Sequence, residues 1–382
     1  MTPDAAVDIV ALTRALVDID STTGREAATG RWLADYLRQG GWSVFEQPVD
    51  DTRFNVIATP AGRADACEVV FSTHFDCVPP FFPSRVEGDR LFGRGACDAK
   101  GILAAQVSAA VRLRDEGESR VGLVFVVGEE RGSDGARVAN QAAPAGSRFL
   151  IDGEPTDNRL GRATRGILRL KLRAAGRAAH SSFPELGESA IDRLIDALVE
   201  LRSIELPADA VLGRTHYTVG LIAGGIAPNV VSPSAEAEVM FRTVSDAAQV
   251  RRAVAPLERR LTIEHVLEVP PVRLTIVPGF DAAVFPYTTD IPFLPRWGEP
   301  LLFGPGSIHV AHTMDEHVSI AELTEAAGHY AALARALLVS WGRHRGHQGD
   351  KGHKGEKLTN DRVDDGGHVE VEPAVEVNFL RS

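Results

Sequence analysis

Four apolar runs interleaved with helical periodicity constrain this chain more than any other feature. NVIAT (55–59), EVVFSTHF (68–75), GLVFVVGEE (122–130) and SRFLIDGE (147–154) lack the polar alternation of a sheet with one wet face. Strands of that kind are covered on both sides. Helical periodicity recurs at 5–19, at 26–39, where Gly40-Gly41 ends it, and at 100–117. The expected fold is α/β, a mostly parallel sheet flanked by helices.

The pattern changes near residue 165. GILRLKLRAAGRAAHSS alternates apolar and polar residues, and a helix is expected at 189–203. Two more alternating strands, HYTVGLIAGG and AEAEVMFRTV, precede a helix at 246–261 and a closing strand to about 270. This predicts a compact inserted α+β domain of ferredoxin-like pattern, a four-stranded sheet with two helices on one face. EPLLFGPGS and a helix at 319–341 then restore the α/β character. A chain of 382 residues exceeds one ordinary core. The expected division is 1–165 and 271–342 for a main domain in two parts, 166–270 for the insertion, and 343–382 for a disordered tail. That tail opens RHRGHQGDKGHKGEK, with little to bury.

A net charge of −11 argues against nucleic acid or an anionic membrane as partner. No window is long and apolar enough for a membrane span. The first twenty residues carry acids and no basic leader, and three cysteines without a CxxC suit a reducing compartment. A cytoplasmic protein is expected.

The strand runs end in chemistry. His74 and Asp76 close one, Glu129 and Glu130 another, Asp152 a third, and Asp98 stands just before the helix at 100. In an open α/β sheet such ends face one cleft. Carboxylates gathered there repel one another unless positive charge lies among them. A pair of divalent cations supplies it, and mixed His and carboxylate donors suit zinc, with cobalt or manganese as alternatives. His74 reads as a metal ligand. Asp76, two residues on and on the same face, reads as the acceptor that orients its ring. Of the adjacent glutamates, one can bind metal while the other faces substrate as a general base.

The segments THFDCV, GRGACDAKG, GEERGSDGA, IDGEP, GRAAHSSFPELGESAI and GPGSIHVAHTMDEHV resemble the di-zinc metallopeptidase family of aminoacylase, acetylornithine deacetylase, succinyl-diaminopimelate desuccinylase and glutamate carboxypeptidase. The resemblance implies that His74 and Asp152 bind one metal and Glu130 and His312 the other. Asp98 bridges the two, and Glu129 is the base. It further implies an oxyanion role for His180 and substrate contacts from Arg242 and Asn229. Gly304 and Gly306 would let backbone approach the substrate. The implied reaction is hydrolysis of an N-acyl amino acid, acetylornithine deacetylase-like in the wording of GPGSI, or of a short peptide by a dipeptidase or carboxypeptidase with the same metals. The resemblance also implies that 1–165 and 271–342 form the catalytic domain, and that 166–270 is a lid and dimerisation domain through which a homodimer can form. A non-enzymatic binding protein on this fold would have lost ligands or base, and neither is missing.

Overall fold

A computed structural model describes residues 7–63 and 67–348. Residues through Ser340 make one compact unit. Its centre is a six-stranded sheet in the spatial order Trp42–Pro48, Phe54–Pro60, Val121–Val126, Val69–His74, Phe149–Asp152, Glu299–Leu302. The first two pairings are antiparallel and the rest parallel. The sheet is thus mostly parallel, as the runs predicted. Val69–His74 and Val121–Val126 are buried at every position, which explains their lack of alternation.

Helices cover the sheet. Lys100–Asp115 buries Ile102, Leu103, Val107 and Leu113, and its alanines let it pack closely against the strands. Ile9–Val17 starts at Asp8, whose carboxylate accepts from the backbone N–H groups of Val10 and Ala11. The last helix, Ile320–Gln348, runs past Gly342 into the stretch expected to be a tail. The remainder of that tail, from 349, lies outside the described residues.

The inserted segment forms a four-stranded antiparallel sheet in the order His216–Gly224, Ser234–Thr243, Gly166–Ala175, Thr262–Val269. In chain order this is β-α-β-β-α-β, the ferredoxin-like arrangement. Its helices, Ala190–Leu201 and Ala247–Val254, begin at Ser189 and Asp246, whose side chains accept from Asp192 and Ala248 N–H. They pack with the sheet around Leu168, Leu170, Leu194, Val239, Phe241 and Val250. This cluster is separate from the core of the six-stranded sheet.

Candidate metal centre

His74 is the last residue of its strand and only 1% exposed. Its Nδ1 lies 3.1 Å from the backbone carbonyl of Asp76 and 3.5 Å from the Asp76 carboxylate. The Asp76 carbonyl is therefore the nearer acceptor for a proton on Nδ1. The carboxylate itself accepts from the Thr23 hydroxyl at 2.8 Å and from the backbone N–H groups of Glu129 and Glu130 at 3.1 and 3.3 Å. Asp76 thus backs His74 and also pins the segment that carries both glutamates.

Those glutamates do not lie in an extended segment. The strand ends at Val126, Gly128 turns left-handed at φ 75°, and Glu129–Arg131 is a single 3₁₀ turn. Glu130 joins a cluster of candidate ligands, and Glu129 belongs to neither such cluster among the described residues. A Cβ on Gly128 would stand 1.8 Å from an Asp134 oxygen. This explains glycine at the position.

Asp98 joins the two halves of the site. Its Oδ1 is 3.0 Å from His74 Nε2, and its Oδ2 is 3.2 Å from His312 Nε2. His312 Nε2 also lies 2.9 Å from Glu130 Oε1. His312 stands at φ 64°, a left-handed conformation that histidine tolerates better than most side chains. His74, Asp98 and Glu154 offer ligand atoms within 4.8 Å of one another, and so do Asp98, Glu130 and His312. Asp98 is common to both groups.

The charge distribution calls for cations. Burial pushes Glu129, Glu130 and Glu154 above the ordinary carboxylate range, and neighbouring carboxylates push the same way. Hydrogen bonding to Asp98 and Glu130 lifts His312 to about 10. Burial opposes a charge on His74, yet contacts with Asp76 and Asp98 raise it well above its usual value. With Nδ1–H facing the Asp76 carbonyl, the Nε2 lone pair of His74 points at a carboxylate oxygen. Only positive charge between them, a proton or a metal ion, makes that contact favourable. Imidazole nitrogens and carboxylate oxygens that share one bridging Asp fit a pair of zinc-like ions.

One acid that the sequence reading did not assign stands in the cluster. Asp152 closes its strand beside Ser72 and Leu302, but it is Glu154 that gathers with His74 and Asp98. Gly153 makes the turn possible: its N–H donates to Ser72 O at 2.7 Å, and a Cβ there would meet Gln106 and Ile102 at 2.5 Å. Glu154 was visible in IDGEP as a second acid two residues beyond the strand end. A Cβ on Gly304 would strike Glu154 O at 2.5 Å and one on Gly306 would strike Cys97 Sγ at 2.6 Å, so both make room for protein atoms.

In the insertion, His180 and Asn229 are exposed and adjacent: Ser181 N–H donates to Asn229 O, and His180 bridges to Val230. Ser182 N–H donates to His180 Nδ1 at 3.1 Å, so a neutral ring carries its proton on Nε2. Arg242 is half-buried on Ser234–Thr243, opposite His216. Among the described residues, no hydrogen bond or ion pair links His180, Asn229 or Arg242 to the cluster around Asp98.

Residues 70–336 match the peptidase family M20/M25/M40. A probable carboxypeptidase from Aspergillus clavatus is 37% identical over 87% of this chain and 83% of its own length. Among solved structures, a tripeptidase from Staphylococcus aureus superposes with a TM-score of 0.72 at 20% identity, covering 88% of this chain and 99% of the other. An M20 family metallo-carboxypeptidase from Sulfolobus solfataricus gives 0.66 at 17% identity, covering 85% and 98%. With the family matched from the strand that ends in His74 through the insertion to the last helix, and over every residue of the candidate centre, the chain belongs to the M20/M25/M40 metallopeptidases.

Proposed function

We propose that this hydrolase cleaves the amide bond next to a free carboxylate in a short peptide, as a metal-dependent carboxypeptidase or dipeptidase. Asp98 facing His74 on one oxygen and His312 on the other carries the reading. The relatives' names, probable carboxypeptidase and metallo-carboxypeptidase, move the preference from deacylation to peptides. Hydrolysis of an N-acyl amino acid such as acetylornithine is the second reading, favoured by the wording of Gly304–His312.

In the proposed centre His74 and Glu154 hold one ion and Glu130 and His312 the other, with Asp98 between them; zinc is the preferred metal, cobalt or manganese the alternatives. Bound, the ions would polarise the scissile carbonyl and acidify an attacking water. Glu129, kept off the ligand set by its turn, takes the water's proton and gives it to the leaving amine. His180 donates its Nε2–H to the oxyanion. Arg242, with Asn229 nearby in the insertion, holds the substrate carboxylate through its guanidinium fork. We keep 166–270 as a lid, with 1–165 and 271–342 as the domain that carries the metals. Its edge strand exposes Leu221 and Ile222, each more than 60% exposed, which suits a homodimer surface. Three free, buried cysteines fit a cytoplasmic setting. Among the described residues, no helix is long and apolar enough to cross a membrane.

The test is turnover of dipeptides, C-terminally amidated dipeptides and N-acetylated amino acids by zinc-loaded enzyme and by Glu129→Gln. Wild type should cleave free-acid peptides. The variant should lose at least about 10²-fold in kcat while still binding two ions. Full activity in Glu129→Gln would remove Glu129 as the base.

A further inference from the structure

Behind the candidate centre lies an ion pair that touches no expected ligand side chain. Arg94 and Glu316 are both about 1% exposed or less and meet at 2.5 Å. Glu316 Oε1 also accepts three backbone N–H groups, from Gly95 at 2.9 Å, Cys97 at 3.3 Å and Asp98 at 3.2 Å. Arg94 Nε donates to the carbonyl of Pro80 at 3.1 Å, and its guanidinium lies over the Phe82 ring.

These contacts join three separate pieces of chain, each carrying a different candidate ligand. The Pro80 loop follows His74, the Gly93–Asp98 loop ends in Asp98, and Glu316 comes four residues after His312. The pairing of Arg90–Phe92 with His317–Ser319 and the bond from Gly93 N–H to Glu316 O zip the last two together. Three amides converging on one carboxylate oxygen give this loop its shape, since each would otherwise be a buried donor without a partner. Arg94 neutralises a carboxylate that would otherwise add to the negative charge around Asp98.

We propose that Glu316, held by Arg94, is the positioning residue of the metal centre: its carboxylate sets the Asp98 loop and the His312 loop at the separation that lets Asp98 bridge two ions. The pair touches neither ion nor substrate and acts through backbone. This rests on the two-ion reading above, but its test reads metal binding rather than turnover. A protein that binds two ions and cleaves nothing would defeat the proposed function and leave this inference open to measurement.

The experiment titrates metal-free full-length protein with Co²⁺, following heat and the visible d–d spectrum. Three proteins are compared: wild type, Glu316→Ala, and the double variant Arg94→Met with Glu316→Gln. The double variant keeps an oxygen for the three amides and removes both charges. Glu316→Ala should weaken Co²⁺ binding about 10–100-fold, the scale seen when groups behind metal ligands are lost, and should alter the spectrum. The double variant should return to within about 10-fold of wild type, which a loss of bulk stability alone would not produce. Wild-type affinity and spectrum in folded Glu316→Ala overturn the proposal. So does a double variant that binds no better than Glu316→Ala. If Glu316→Ala does not fold, the double variant decides alone: near-wild-type binding supports the amide cradle, and lost binding sinks it.

Discussion

The choice between Asp152 and Glu154 shows how one backbone turn assigns chemistry to a side chain. Both are acids two residues apart, and both are almost fully buried. Burial raises both, with Asp290 adding to the effect on Asp152 and with Glu129 and Asp98 adding to that on Glu154. Only Glu154 reaches His74 and Asp98. Glu154→Gln should therefore lose one equivalent of tightly bound metal. Asp152→Asn should retain two, because a neutral amide there relieves repulsion without removing a ligand. Metal content after dialysis, read by atomic emission, separates them. Equal loss in both variants would return Asp152 to the ligand set.

At the scale of single elements, the turn after Val126 sets the backbone of Glu129 and Glu130. Gly128 has a positive φ and no room for a Cβ, while Asp134 is held in ion pairing by Arg53. Gly128→Ala must displace Asp134 or unwind the turn. It should cost about 1–3 kcal/mol of stability, measured by urea unfolding, and lower kcat more than it raises KM. A variant as stable and active as wild type would show that the turn tolerates rearrangement. The same element marks how far sequence reading carries. The strand interiors were legible because burial on both faces leaves a continuous apolar run; His74 and Asp98 were legible as members of the cluster from the strand end and the helix start, and Glu130 and His312 only through the family resemblance. The conformation of Glu129–Glu130 was not, since one glycine's φ converts an extended segment into a 3₁₀ turn. Glu316 was not legible as a structural group either. Its three amide partners lie more than 200 residues away in sequence, and nothing in a linear pattern announces such a contact.

Across the whole molecule, the candidate centre ties together segments from both sides of the insertion. His74, Asp98, Glu130 and Glu154 come from the first part of the chain and His312 from the part after the insertion. An unfolded chain cannot keep this set in one place, so metal binding favours the folded state by mass action, by about 2.7 kcal/mol per site at a hundredfold excess over Kd. Removing metal with a chelator should lower the thermal midpoint, and adding Zn²⁺ back should restore it in proportion to the logarithm of its free concentration. Because Asp98 is common to both groups of candidate ligands, Asp98→Asn should abolish most of this Zn²⁺-dependent shift, whereas Glu154→Gln should leave the part that belongs to Glu130 and His312. A midpoint that ignores both chelator and Zn²⁺ would mean that the fold holds these side chains together without ions, and the carboxylates would then have to share protons instead.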